Sequence, residues 1–414
     1  MGATTTSPFV IAGAGLAGAK AAEALRDGGS DRPVVLAGDE QERPYERPPL
    51  SKEYLRGMSA RDEVYVHPRG WYEENGVELR LAAPVAGIDP GAHTVTLGDG
   101  ETLPYAKLLL ATGSSPRRLP VPGENLDGVH YLRRLAESDA LKETLGAASR
   151  LVVIGGGWIG LEVTAAAREA GVRVTLLEAA DLPLVGVLGR ETAQVFADLH
   201  TDHGVDVRCG THVTEITGEA GRVSGVLLPG GERIAADAVV VAVGVSPNTA
   251  LADGAGIETD DGVRVDAALR TSHPDIWAAG DVARAFHPLL GRHIRVEHWA
   301  NALNQPATAA RSMLGEDASY DRLPYFFTDQ YDLGMEYTGH VGRGGYDRVV
   351  FRGSPADRQF IAFWLRERRV LAGMNVNVWD VTGPIRTLVT SGLPVDAGRL
   401  GDVGVPLTEV FAGG

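Results

Sequence analysis

The sequence predicts an α/β chain: two doubly wound β-α-β units followed by a C-terminal α+β interface domain. Three observations predict it. An apolar strand running into a glycine turn and then an alanine-rich amphipathic helix occurs twice. Each copy continues into a second β-branched strand, which completes a β-α-β unit. From about Leu323 the chain changes character, and aromatic, β-rich segments take over. A length of 414 residues agrees, because it exceeds what one ordinary core accommodates and calls for two or three domains.

The first copy, FVIAGAGLAGAKAAEALRDGG, spans Phe9 to Gly29 and leads into VVLAGDE from Val34. Short strands with turn signals follow, the alternating HTVTL at His93 to Leu97 and then AKLLLATGSSP at Ala106 to Pro116. The second copy, LVVIGGGWIGLEVTAAAREAG, spans Leu151 to Gly171 and leads into VRVTLLE from Val172. It closes with IAADAVVVAVGVSPN at Ile234 to Asn248. A strand-like TSHPDIWAAGDVA, Thr271 to Ala283, precedes a helical pattern over Ala300 to Leu314. Beyond it, YFFTDQYDLGMEYTG and FIAFWL read as strands ahead of a final helical stretch and a Pro/Gly-rich tail.

Gly13, Gly15 and Gly18 form G-x-G-x-x-G, and Gly155, Gly157 and Gly160 repeat it. Glycine permits the tight turn, lets the backbone approach a pyrophosphate and lets helix pack close on strand, while the helix N-terminus supplies N–H donors. One such motif is weak; two, each after a strand and before a helix, point to two Rossmann-like dinucleotide sites. The second strand of such a unit usually ends in a carboxylate for the adenosine ribose. Glu178 holds that place in the second copy, and Ala179, Ala180 and Asp181 after it offer no cation for a 2′-phosphate, so NADH is expected rather than NADPH. In the first copy the aligned position is Gly38, and Asp39 beside it becomes the candidate ribose ligand.

Composition narrows the function classes. A net charge of −15 argues against general nucleic-acid binding, which needs a basic excess. No run of about 18 apolar residues appears, and the opening MGATTTSPFV lacks a basic stretch followed by an apolar one, so a cytoplasmic protein outside the membrane is expected. The single cysteine, Cys209, excludes an intramolecular disulfide and any metal site of several cysteines. It is expected simply to pack, and no metal site is expected.

Several segments, in order, carry a family resemblance. RPYERPPLSKEYL from Arg43, LLLATGSSPR from Leu108, YLRRLAESDA from Tyr131, GGGWIGLEV from Gly155, VAVGVSPN from Val241, WAAGDVA from Trp277 and VEHWANALNQ from Val296 are similar to the NADH-dependent ferredoxin reductases. These are flavoproteins of the glutathione-reductase-like, two-dinucleotide class. The resemblance covers nearly the whole chain and implies an FAD domain of residues 1–115 and 247–323, an NADH domain of residues 116–246 and an interface domain of residues 324–414. By it, Gly15 and Ala17 would face the FAD pyrophosphate with Leu16 between them, Asp39 would hold the adenosine ribose, Val85 the adenine and Arg133 the flavin edge. Ala111, Thr112 and Gly113 of LLLATGSSPR, Trp158 and Ile159 of GGGWIGLEV, and Gly244 of VAVGVSPN are implied as further cofactor contacts. Asp281 of WAAGDVA would accept a hydrogen bond from the ribityl chain, which gives a buried carboxylate a reason to be there.

The same resemblance points Lys52 at the N5/O4 edge of the isoalloxazine, where a fixed cation stabilises the charge that reduction brings. Read alone, Lys52 is a surface lysine; the surrounding PPLSKEY reverses that. Glu162, in the first turn after the second loop, would pair with it across the domain boundary, and Trp299 would cover the flavin ring. His298 is placed for acid or base work that hydride transfer does not need. Related disulfide reductases carry a redox cysteine pair where this chain reads RPPLSKEYLRG, so thiol chemistry is excluded. The implied function is transfer of electrons from NADH through FAD to a small iron–sulfur ferredoxin, a transient partner feeding a haem monooxygenase or Rieske oxygenase, by a monomer or weak dimer. Two other functions stay open: direct reduction of a quinone or monodehydroascorbate radical, and an NADH-sensing interaction flavoprotein. Because ferredoxins are usually acidic too, a basic docking patch is expected: Arg292, His293 and Arg295 precede Trp299, Arg311 follows in the next helix and Arg366, Arg368 and Arg369 lie in the third domain, with Arg292 and Arg295 the leading candidates.

Overall fold

The computed structural model describes residues 7–342 and 344–412. The first six residues, on which the leader-peptide argument draws, lie outside the described residues. The chain divides into two compact units, one of Met1–Glu46, Arg61–Ser115 and Val245–Arg322, the other of Arg47–Ala60, Pro116–Gly244 and Leu323–Gly414.

The first unit is built on a five-stranded parallel sheet in the order Ile276–Ala278, Lys107–Leu110, Phe9–Ala12, Val34–Ala37, Val77–Arg80. Its central strand is buried along its whole length, as a strand covered on both faces must be, and FVIA accordingly shows no alternation. The helix Leu16–Asp27 lays Ala17, Ala21, Ala22 and Leu25 in the core, and its alanines let it approach closely. The helix Trp299–Leu314 packs against it and adds Ala309, Ala310 and Met313. Beside them runs an antiparallel meander of Val85–Asp89, Thr94–Leu97 and Thr102–Pro104. Here the alternation in HTVTL has its expected meaning, with Val95 and Leu97 buried and Thr96 exposed.

The second unit repeats the parallel sheet strand for strand: Val129–His130, Ala238–Val241, Arg150–Ile154, Arg173–Leu177, Asp206–Arg208. It also holds an antiparallel sheet in the order Tyr325–Gln330, Leu333–Gly339, Arg369–Val376, Gln359–Arg366, Arg348–Ser354. Both faces of this sheet are covered. Ile361, Phe363 and Leu365 meet Ile385 and Leu388 of the helix Thr382–Ser391, while Phe360, Ala362 and Trp364 share a core with Leu188 and Phe196. FIAFWL is therefore an unbroken apolar run, buried from Phe360 to Leu365.

The segment Arg47–Ala60 belongs with this second unit because its own side chains and backbone are tied there. Ser138 Oγ donates to the Leu50 carbonyl at 2.8 Å, Tyr54 OH to Asp139 Oδ1 at 2.5 Å, and Arg56 Nε lies 2.8 Å from Glu169 Oε2. Among the described residues no helix is long and apolar enough to cross a membrane.

Candidate functional site

The two glycine loops have the same construction. Gly13 (φ +120°) donates to the Ala37 carbonyl at 2.8 Å, and Gly155 (φ +107°) to that of Leu177 at 2.8 Å. A Cβ on either would sit 2.2 Å from the Ala111 oxygen or 2.4 Å from the Ala242 oxygen, so only glycine fits. A Cβ on Gly18 or Gly160 would lie 2.0 Å from the carbonyl oxygen of Gly13 or Gly155, which is how each helix comes so near its strand. Gly15 and Gly157 differ from these. They are the N-caps of Leu16–Asp27 and Trp158–Glu169, no side chain caps either helix, and a Cβ on either would meet nothing within 4 Å. Each loop thus leaves backbone N–H groups at a helix N-terminus facing open space, and the pyrophosphates of FAD and NADH fit those cradles.

The loops differ at one point of contact. In the first unit a Cβ on Gly38 would lie 2.5 Å from that of Ala14; in the second, Gly156 takes the place of Ala14 and Glu178 that of Gly38. Glu178 uses the room so made, its carboxylate accepting from Gly156 N at 2.6 Å and Ala180 N at 2.7 Å. This explains the departure at Gly38 and moves the first unit's carboxylate to the exposed Asp39.

Around the first loop, Gly280 (φ +82°) brings the turn before Asp281 to Ala17: a Cβ on Gly280 would be 3.0 Å from the Ala17 Cβ. Gln305 Oε1 fixes that turn by accepting from Gly280 N at 2.8 Å, and Asp281 is buried. Thr112 and Asn248 tie Ala111, Thr112 and Gly113 down, Thr112 Oγ1 donating to the Asn248 carbonyl and Asn248 Nδ2 to that of Thr112, each at 2.8 Å. Val85 begins the meander and is partly buried. Trp299 opens the helix Trp299–Leu314, and its Nε1 donates to Glu46 Oε2 at 3.2 Å; His298 is that helix's N-cap.

In the second unit the Lys52 Nζ lies 2.7 Å from Glu162 Oε1, with side chains only 7% and 3% exposed. Pro48 and Pro49 open the 3₁₀ turn Pro48–Ser51 that delivers it. Both Glu162 oxygens have further donors: Ser51 Oγ at 2.5 Å on Oε2 and Thr328 Oγ1 at 2.6 Å on Oε1. Lys52 Nζ also lies 5.5 Å from the Phe327 ring centroid. The pair therefore forms within one unit rather than across a boundary, since Arg47–Ala60 is tied to the helix that carries Glu162. Trp158 turns its ring inward against Phe196 and Phe326, while Ile159 is exposed. Gly244 (φ +96°) accepts from Arg117 N at 2.9 Å, and Arg133 N is held by Glu137 Oε2 at 2.7 Å.

Sequence reasoning missed Ser51, Thr328, Gln305 and Glu46. Ser51 and Glu46 stand in RPYERPPLSKEYL and Gln305 closes VEHWANALNQ, but nothing in those segments marks their roles, and Thr328 lies in a strand with no spacing to mark it. Arg295, expected in a docking patch, is 10% exposed and held by Asp261 at 3.0 Å and by Glu297, so its charge is already matched. Cys209 has its thiol pushed up by burial and then by the charges of Glu178 and Asp181.

The chain matches the pyridine nucleotide-disulphide oxidoreductase family over residues 7–306 and the reductase C-terminal family over residues 325–411. It is 42% identical over 404 residues to the ferredoxin–NAD(+) reductase component of the anthranilate 1,2-dioxygenase system of Burkholderia cepacia, covering 97% of this chain and 99% of that protein. It is 38% identical to putidaredoxin reductase of Pseudomonas putida, covering 97% of this chain and 96% of that one. Its structure superposes on a crystal structure of the covalent putidaredoxin reductase–putidaredoxin complex with a TM-score of 0.93 at 37% identity, over 98% of each chain.

Proposed function

Since the chain belongs to the pyridine nucleotide-disulphide oxidoreductase family, we propose that it is an FAD-dependent reductase that moves electrons from NADH to a small iron–sulfur ferredoxin serving an oxygenase. One observation carries the reading: two pyrophosphate cradles are complete, yet the one cysteine has its thiolate disfavoured, so electrons leave by a route other than a disulfide. FAD, when bound, would take electrons from NADH in a pair and release them singly.

Gly13, Gly15, Leu16, Ala17 and Gly18 hold its pyrophosphate, Asp39 its ribose and Asp281 its ribityl chain. Gly155, Gly157, Gly160 and the Trp158 and Ile159 backbone do the same for NADH, with Glu178 at the ribose. Lys52, paired with Glu162, supplies a fixed positive charge, and Trp299, pinned by Glu46, supplies an apolar cover. Residues 1–115 and 247–323 serve FAD, 116–246 NADH, and 324–414 the interface. The relatives' partners are oxygenase systems and putidaredoxin, which makes a ferredoxin the acceptor of choice. A cytoplasmic monomer or weak dimer, drawing on the NADH pool, completes the reading.

Purified protein should carry about one FAD per chain, and its NADH oxidation should accelerate with added ferredoxin. If a quinone supports turnover and no ferredoxin in a panel does, the small-acceptor reaction is the right one.

A further inference from the structure

A buried polar chain crosses the second unit from Glu162 to Tyr331. Thr328 Oγ1 lies 2.6 Å from Glu162 Oε1, Gln330 Nε2 3.2 Å from Thr328 Oγ1, His200 Nε2 2.9 Å from Gln330 Oε1, and Tyr331 OH 3.2 Å from His200 Nδ1. Glu162, Thr328, Gln330 and His200 are all buried. They come from the helix Trp158–Glu169, the strand Tyr325–Gln330 and the helix Arg190–Asp202, and the two-residue period of the strand sets Thr328 and Gln330 on one face while Asp329 points away.

Chemistry gives this chain one direction. A carboxylate only accepts, so Thr328 donates its single hydrogen to Glu162. Its oxygen must then accept, and the Gln330 amide nitrogen only donates. Turning that amide over would set two acceptors against each other. Gln330 Oε1 in turn accepts from His200, so Nε2 carries the hydrogen and Nδ1 accepts from Tyr331. Every dipole has its positive end toward Glu162, and such chains reinforce one another in a buried setting.

We propose that Gln330 and His200 are positioning residues for Glu162, fixing the orientation of its carboxylate and, through it, the aim of Lys52. The proposal rests on the reductase reading for what the Lys52 charge does. Burial, reinforced by His203 and opposed by the Gln330 bond, pushes His200 down to about 4, so its ring is neutral as the chain requires. The other groups facing it are few. Tyr331 stacks on His203 with centroids 3.7 Å apart, Asp332 lies 3.8 Å from His203 Nε2, and Arg168, Glu169 and Arg56 act on Tyr331.

The test uses the holoenzyme labelled with ¹⁵N-histidine. Wild-type His200 should show the Nε2–H tautomer, unchanged between about pH 6 and 8. In Gln330→Glu a carboxylate accepts from His200 and cannot donate to Thr328, so the ring pKa should rise and flavin reduction by NADH should slow about tenfold or more. Thr328→Val should lower the flavin midpoint potential, and Thr328→Ser should restore most of it. An Nδ1–H or mixed tautomer in the wild type overturns the proposal. So does a potential in folded Thr328→Val equal to that of the wild type. A wild type that holds no FAD fails the reductase reading instead, and the tautomer then decides the relay separately.

Discussion

Lys52 and Glu162 sit almost out of water, and each is the other's ion-pair partner. Removing one member of such a pair strands the second, which costs about 3 kcal/mol or more, although Ser51 and Thr328 soften this for Glu162. Lys52→Met and Glu162→Gln should each lower Tm and slow flavin reduction by NADH, and the double variant should lose less than the sum of the two. Thermal unfolding and stopped-flow reduction measure the cycle. Additive losses in both would mean that the two side chains do not act on each other. The pair itself was legible in PPLSKEY and GGGWIGLEV through the family resemblance. Its supporting hydroxyls were not, because a threonine in a strand and a serine in a turn look the same whether or not they bond a carboxylate 111 or 166 residues away.

Among elements, the two strand–loop–helix copies were the most legible, since glycine at a positive φ is a steric demand that the sequence itself displays. They also make a paired prediction. A Cβ at Gly18 or Gly160 would have to push its helix off the strand by more than an ångström of overlap with a backbone oxygen. Gly18→Ala should purify with little FAD, while Gly160→Ala should keep its FAD and show a raised KM for NADH; flavin content and steady-state kinetics check both. The attachment of Arg47–Ala60 to the second unit was not legible, because it is decided by Ser138, Asp139 and Glu169, far along the chain. A second prediction concerns the join of the helix Arg190–Asp202 to the strand Tyr325–Gln330 through His200 and Gln330. The folded His200 value, about 4, lies below the ordinary 6.5, so the unfolded chain takes up the proton first as pH falls. This contribution is complete above about pH 6.5 and is lost progressively down to about pH 4, about 3 kcal/mol in all. Denaturant unfolding across that range should be steeper in pH for the wild type than for His200→Gln; equal slopes would place the acid sensitivity elsewhere.

For the whole molecule, a net charge of −15 sets the terms on which an acidic partner approaches. Arg295 is only 10% exposed whereas Arg292 is exposed, so of the cations before Trp299 it is Arg292 that is presented to a partner. Arg292→Glu should slow ferredoxin reduction at low salt and leave ferricyanide reduction nearly unchanged. The wild-type ferredoxin rate should fall as ionic strength rises, since screening sets in over about 10 Å. A ferricyanide rate that drops in parallel would locate the damage at the flavin. Two stretches of similar sequence within one gene can also recombine, and the contact of Ala14 with Gly38, set against that of Gly156 with Glu178, determines what would follow. A hybrid with the first loop and the second strand would drive a methyl group into a carboxylate, and the converse hybrid would face glycine with glycine across a gap. The halves are thus not interchangeable at this contact, and a crossover between them would begin with a misfit there whichever loop it kept.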